Sequence, residues 1–519
     1  MTDSRWLAWS VPFIYVLAAL AAPRVRHPWR ALSLATGAAL ALAFGRLLLV
    51  FASAIGTAGA IGTRIASVLV LLITFLGWVI GRYSRVNLAG EPGERRYVLG
   101  LLATLAAVCT VVSTNDFAVL IAAWAASSVT LHPLLTFYGE RPLARLAARK
   151  KFMAARLAEL CLLGAAALLY LQWRTLDLGS LARLATASAS LPAAVECAAV
   201  LIAAAVVLRC AQLPLHGWLV QVMEAPSSVS ALLHAGVVNL GGYVLIRLAP
   251  LLCASAPAEL LLVAVGSATA VLAGLTMMTC TSVKVRLAWS TCSQMGLMLT
   301  ECGLGLYDLA LLHLLAHALY KAYAFLSAGE VVQESANGQP RAQSAPGVPH
   351  LLAGRLLAAP LAALLVIGSS SLWHTIVNAP QLSGPACLIG SIGCAVLLWN
   401  SATLALYLRN IMVMFAAVQL YLLWHLTMRS AFPVPTGSAS GLAMLWAGGC
   451  FLMLYVLQWQ LARPVRSPGA ARLRAWASAG YFLDEPMTAL VMRRGRPRPP
   501  RWTVLPMARG FAQREGGAA

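Results

Sequence analysis

The sequence predicts an all-α polytopic membrane protein, and three observations carry that reading. Of 519 residues, 60% are hydrophobic and only 11% charged, against roughly 25% charged in a soluble domain. Apolar runs of about 20 residues recur from end to end, about 15 in all, each long enough to cross a hydrocarbon core about 30 Å thick. The runs are Ala/Leu-rich throughout and lack the two-residue alternation of barrel strands, so helices are the structure that satisfies the backbone in lipid.

The net charge of +21 reflects orientation rather than nucleic-acid binding, because the basic residues cluster in short loops between spans. Arg24, Arg26 and Arg30 follow the first span, Arg82, Arg85, Arg95 and Arg96 the third, and Arg141, Arg145, Arg149, Lys150 and Lys151 the fifth. The even loops are nearly bare. The positive-inside rule therefore makes the odd loops cytoplasmic, with the N-terminus outside and the C-terminal tail inside; Lys284 and Arg286 fall on the cytoplasmic side. Trp6 to Ala22 reads as the first span, not a signal peptide, since only Arg5 precedes it. The 11 Cys sit singly in apolar stretches with no CxxC, which supports neither a disulfide framework nor a zinc or iron–sulfur site.

Along the chain, residues 1–81 form a transmembrane scaffold whose spans carry little beyond Arg46. Residues 82–330 form the core. Four spans run from Tyr97 to Met223, and the last is interrupted at Gln212-Leu-Pro-Leu-His216, where proline removes a backbone donor. A helix broken at membrane depth is tolerated where protein or water re-satisfies the freed groups, so the break is expected to line a cavity. Spans follow at Ser228–Leu252, Glu259–Cys280, Val283–Leu304 and Leu309–Ala328. A polar linker, residues 331–350, is too rich in Gly, Pro, Ser and Gln to span. Residues 351–462 hold about four plainer spans. Residues 463–519 are a basic, Pro-rich cytoplasmic tail, with one short amphipathic helix expected near Leu473 to Met492 and suited to the membrane surface or a partner.

An ionisable side chain at mid-bilayer costs roughly 2.5–3.5 kcal/mol, so each needs a partner or a function. His313, His317 and Lys321 recur every four positions. This spacing stacks them on one helix face as a polar stripe about 12 Å long. Histidine titrates near neutrality and a desolvated lysine can be driven toward it, so the stripe has the chemistry of a proton relay; interhelical hydrogen bonding without transport is the alternative. Arg156 and Glu159 are spaced as an i,i+3 ion pair, static or functional. His234 and Asn239 follow the broken helix, Glu224 lies near it, and Arg209 precedes it. A guanidinium keeps its proton, so Arg209 serves as a fixed charge and not as a relay. No Walker motif, dinucleotide fingerprint or nucleophile elbow is present, which disfavours a nucleotide-driven pump or a self-contained redox enzyme.

These motifs carry a family resemblance. Arg209-Cys-Ala-Gln-Leu-Pro-Leu-His-Gly-Trp218, Glu224-Ala-Pro-Ser-Ser-Val-Ser-Ala-Leu-Leu-His234, Lys284 through Trp289 to Gly296, and His313 to Lys321 resemble antiporter-like subunits of respiratory complex I and Mrp antiporters, over about Arg82 to Gly329. Within that superfamily, His234 to Leu248, Glu301 to Tyr307, His317 to Ser327 and the tail segment Gly480-Tyr-Phe-Leu-Asp-Glu485 are similar to the DabB branch, membrane subunits of an inorganic-carbon pump.

The resemblance implies an antiporter-like fold with broken helices and inverted repeats, set in a bacterial inner membrane. It also implies a DabA-type, zinc-containing cytoplasmic partner subunit, in which cation flow through the membrane subunit energises hydration of carbon dioxide to bicarbonate. The zinc and the catalysis are then the partner's, and this chain carries no cofactor of its own. Lys321, His317 and His313 are the expected proton or cation path, extended by Lys284 and His234, with Glu224, Arg209, Glu159 and Arg156 near the break. Two positions depart from complex I pumps: Ala125 follows Trp124 where Glu is typical, and Arg209 stands where Lys is usual. A proton-translocating subunit of a NADH dehydrogenase or hydrogenase-type complex, and a cation/proton antiporter subunit, are the alternatives.

Overall fold

The computed structural model describes residues 4–53, 60–336, 350–379, 381–399, 403–432, 437, 439–461 and 468–494. Among these the regular structure is helical, with one isolated bridge between Asp116 and Asp177. Three helices form the N-terminal scaffold: α1 (Ser4–Ala21), α2 (Pro28–Ser53) and α3 (Ala60–Leu88). The core follows with α4 (Glu94–Ser113), α5 (Phe117–Leu135), α6 (Pro142–Trp173), the short α7 (Leu178–Ala187) and α8 (Ala193–Arg209). It continues through α9 (Gly217–Gln221), α10 (Ser227–Leu232), α11 (Leu240–Arg247), α12 (Ala249–Cys253), α13 (Ala256–Met277), α14 (Val283–Gly303) and α15 (Tyr307–Leu326). Beyond it lie α16 (Ala328–Ala336), α17 (His350–Val377), α18 (Gly384–Ala395), α19 (Leu404–Ala431), α20 (Gly441–Leu461) and, in the tail, α21 (Pro468–Ser478) and α22 (Glu485–Arg494).

By length and apolarity, 11 helices of the described residues are able to cross a membrane, with α1 and α18 as shorter apolar helices. The chain is a multi-pass membrane protein. Two helices essential to the core fall outside the 11: α8 has 17 residues, and α14 carries too many polar residues along its length. Enclosure is graded. The α10–α11 segment is 89% buried, whereas α19 and α20 are 22% and 17% buried, so the core is wrapped by protein and the C-terminal helices keep broad leucine-rich faces exposed. Where α13 and α14 cross, Gly266 and Gly296 oppose each other; a Cβ on either would stand 2.6 or 2.5 Å from the other's carbonyl oxygen. Only small residues allow so close a backbone approach between membrane helices.

The expected break is present. After α8 ends at Arg209, residues 210–216 leave the helix, with Ala211 left-handed at φ 52°. The freed groups find protein partners: Gln212 Nε2 donates to the Cys210 carbonyl at 2.8 Å, and the Leu213 N–H donates to Thr269 Oγ1 at 3.2 Å. A second irregularity replaces the continuous span expected over Ser228–Leu252. Leu233–Val237 is a π-helical turn, closed by the Val238 N–H donating to the Leu233 carbonyl at 3.0 Å, and Pro250 then opens the separate α12. The π turn inserts one residue into the helix and turns His234 out of register with its neighbours.

The basic loops gather at one end of the bundle. Arg95 donates to Pro23, Arg96 to Pro133 and Thr136, and Arg141 pairs with Glu224. The tail joins them there, but not as the single helix expected over Leu473–Met492. Gly480, Tyr481 and Phe482 all have positive φ, and this turn splits the segment into α21 and α22. Leu473 packs with Val271, Leu275 and Leu461, while α22 lies against α6. The polar linker expected over residues 331–350 begins inside α16, which runs to Ala336, and its last residue opens α17; residues 337–349 and the tail beyond Arg494 lie outside the described residues.

Candidate functional site

α15 projects its stripe into the enclosed core. Lys321 is fully buried, and its Nζ donates to Ser290 Oγ at 2.8 Å and to the Leu287 carbonyl at 3.1 Å, both on α14. Among the described residues no carboxylate lies within ion-pair distance of it. One turn away, His317 is 5% exposed and both its ring nitrogens are buried without a hydrogen-bond partner. The His313 ring follows edge-on, 5.9 Å from His317 between centroids. His313 Nδ1 in turn lies 3.0 and 3.2 Å from the two carboxylate oxygens of Glu301. The file is therefore an amine, a free imidazole, a second imidazole and a carboxylate in that order. From the π turn, His234 stacks on Phe325 at 4.5 Å between centroids, one turn beyond Lys321, and its two ring nitrogens are likewise unpartnered.

Glu301 was not among the residues expected to form the path. An acidic residue in an apolar run was the available signal, but its partnership with His313 depends on the tight α14–α15 turn, with Gly305 at φ 72°, that sets the two side by side. Near the same end, Asp308 lies 3.7 Å from His425 Nε2 and 3.9 Å from the Arg429 guanidinium of α19. The sequence gives no pattern that would join residues so far apart.

A second cluster forms around the broken helix. Glu159 accepts from Arg156 at 2.6 Å and lies 3.6 Å from Arg209, so one carboxylate serves two guanidinium groups. Arg209 also donates to the Trp124 carbonyl at 2.5 Å and lies 4.8 Å over the Trp124 ring. Thus the acidic partner of Arg209 comes from α6, in a chain whose residue after Trp124 is Ala125. Lys151, which sequence reasoning used only for orientation, is buried beside this cluster and donates to the Ser128 carbonyl at 2.8 Å and Oγ at 3.1 Å. Lys151, Arg209, Ser127, Ser128 and Trp218 line a cavity of about 20 Å³, room for one water.

Two candidates lie at the edge. Glu224 pairs with Arg141 at 3.0 Å with both side chains substantially exposed, a solvent-screened pair of small energetic weight. Lys284 sits in the first turn of α14, one turn N-terminal to the Leu287 carbonyl that Lys321 contacts.

Comparison with known proteins shows the family and the fold. Residues 114–345 match the family described as NADH:quinone oxidoreductase/Mrp antiporter, TM. The chain is 41% identical over 437 residues, 83% of its length and 82% of the relative's, to the probable inorganic carbon transporter subunit DabB of Hydrogenovibrio crunogenus. The chain belongs to the DabB family. A second family member, the probable inorganic carbon transporter subunit DabB2 of Halothiobacillus neapolitanus, is 43% identical over 51% of this chain and 48% of its own length. Outside the DabB family, NADH-quinone oxidoreductase subunit L of Mycobacterium tuberculosis is 34% identical over 51% of this chain and 42% of its own. The fold is shared with the Mrp complex from Dietzia sp., TM-score 0.58 at 22% identity over 95% of this chain and 60% of that one. It is shared equally with the archaeal membrane-bound sulfane sulfur reductase, TM-score 0.58 at 20% identity over 94% of this chain and all of that one. The antiporter-like fold expected of a DabB-type chain is therefore present.

Proposed function

We propose that this DabB-family chain is the ion-conducting subunit of an energy-coupled inorganic-carbon pump in the cell inner membrane. Cation flow, of protons or sodium, through the chain drives hydration of carbon dioxide by a zinc-containing, DabA-type partner docked on its cytoplasmic face; the chain itself performs no catalysis. One observation carries the reading: among the described residues, a buried lysine with no carboxylate partner heads a file of two histidines and a glutamate on the facing helices α15 and α14. Interhelical bonding without transport would give each polar atom a partner, since a buried unsatisfied group costs about 1–3 kcal/mol. His317 has none.

The chemistry of the file follows from spacing. Lys321 and His317 are one helical turn, about 6 Å, apart. Two positive charges at that distance repel by about 2.8 kcal/mol at an effective dielectric constant of 20, so a proton arriving at one expels the proton from the other. Ser290 and the Leu287 carbonyl hold the Lys321 ammonium without quenching its charge. Glu301 then sets a carboxylate against His313 at the far end.

The match to complex I and Mrp subunits favours a second reading, a proton-translocating subunit of a redox complex or antiporter. Co-purification with the tagged chain separates them. A zinc-bearing soluble subunit supports the pump, and flavin or iron–sulfur subunits overturn it.

A further inference from the structure

The C-terminal tail reaches the broken helix itself. Asp484, in the turn between α21 and α22, accepts through Oδ2 from Lys150 Nζ at 2.5 Å and from Gln221 Nε2 at 2.8 Å. Thr488 Oγ1 accepts from Lys150 at 2.6 Å, so the amine is gripped from two residues of the tail. Lys150 has a side chain 1% exposed, whereas that of Asp484 is 23% exposed, so the pair reaches the surface on the tail's side and the amine faces inward. Asp484 Oδ1 is nevertheless buried with no hydrogen-bond partner. It packs on Gly217, where a Cβ would collide with the carboxylate. Gly217 lies between His216, whose ring is tilted against that of Trp289 at 4.7 Å between centroids, and Trp218, which lines the small cavity shared with Lys151 and Arg209. Gly480 of the same tail turn packs against that Trp289 ring.

Resting on the ion-conducting reading, we propose that Lys150 and Asp484 form the cytoplasmic port of the path: the tail supplies the carboxylate at which a cation leaves water and passes to the broken helix. A surface latch needs no amine withdrawn from solvent, no unpartnered carboxylate oxygen and no water-sized cavity behind it; a port needs all three. The partner subunit, docking on the tail's face, then acts on the same residue that admits the ion.

The test uses the complete complex, reconstituted in vesicles, with cation flux divided by the amount of complex present. Asp484→Asn keeps the shape and the bond from Gln221, and flux should fall about tenfold or more. Because that change leaves Lys150 as an orphaned buried charge, the decisive variant is Lys150→Gln with Asp484→Asn, in which neither charge remains. The port predicts a complex that assembles and melts like the parent yet conducts about tenfold less or worse. Parental flux in the double variant overturns it, leaving the pair as a structural latch. Lys321→Met distinguishes the two levels of the argument. If Lys321→Met stops flux while the double variant conducts, only the port is wrong; if Lys321→Met conducts, the path itself is wrong.

Discussion

Replacing Glu159 by Gln should destabilise the core through an orphaned arginine, and the size of the effect follows from the geometry. Arg209 lies 3.6 Å from Glu159, with side chains 9% and 12% exposed. At an effective dielectric constant of 20, that separation corresponds to about 4.6 kcal/mol of attraction. Removing one partner of a buried pair typically costs about 3–5 kcal/mol, because the remaining charge is left uncompensated, so the two estimates agree. Arg209 retains its bond to the Trp124 carbonyl and the Trp124 ring beneath it, which places the outcome toward the lower value, about 3 kcal/mol. Thermal melting of the purified chain in detergent should show a clear loss for Glu159→Gln, together with lower membrane levels. Adding Arg209→Met removes the orphan and should restore most of the loss. Unchanged melting of Glu159→Gln, or no recovery in the double variant, would refute the shared-carboxylate account. Arg209→Lys should be tolerated better than Arg209→Met alone, since it preserves a positive charge beside Glu159.

Glu301→Gln should leave the chain folded, because an amide fills the same space and still bonds His313, yet slow coupled uptake about 10–100-fold by removing the carboxylate at the end of the file; uptake equal to the parent would remove Glu301 from the path. Single cysteines placed in the loops before α4 and α6 and at the α21–α22 turn should resist an impermeant thiol reagent added outside intact cells, with Cys197→Ser as background, and labelling at any of the three would invert or break the topology.

The fold was legible where physics acts locally. Apolar run length located the helices of the core, the Pro214 signal located the break, and Arg clustering grouped the loops that the structure gathers at one end. The π turn at His234 was not legible, since Leu233–Val237 has the composition of an ordinary helix and the extra residue is held by packing around it. The tail turn illustrates the same limit: Gly480 alone hinted at it, and the positive φ at Tyr481 and Phe482 follows from docking against Trp289 and α6. In the site, i,i+4 spacing exposed His313, His317 and Lys321, and i,i+3 spacing exposed Arg156 with Glu159. Contacts between distant helices left no such mark. Arg209 meets Glu159 across the α6–α8 pair, His425 meets Asp308 from α19, and Lys150 meets Asp484 at a separation of 334 residues. A lysine counted as an orientation signal thereby proved to be a buried, paired group.

Carbon accumulation by a carbon-uptake-deficient host in ambient air tests the central claim most directly, comparing the parent complex with Lys321→Met and Lys321→Arg at matched membrane levels and matched partner recovery. Methionine fills similar volume without an amine, and arginine keeps the charge but does not release its proton. If protons travel through the file of Lys321, His317, His313 and Glu301, both variants should accumulate at least about 100-fold less carbon. If sodium is the ion, Lys321→Arg should retain part of the activity and Lys321→Met none. Accumulation by Lys321→Met equal to the parent would contradict the account.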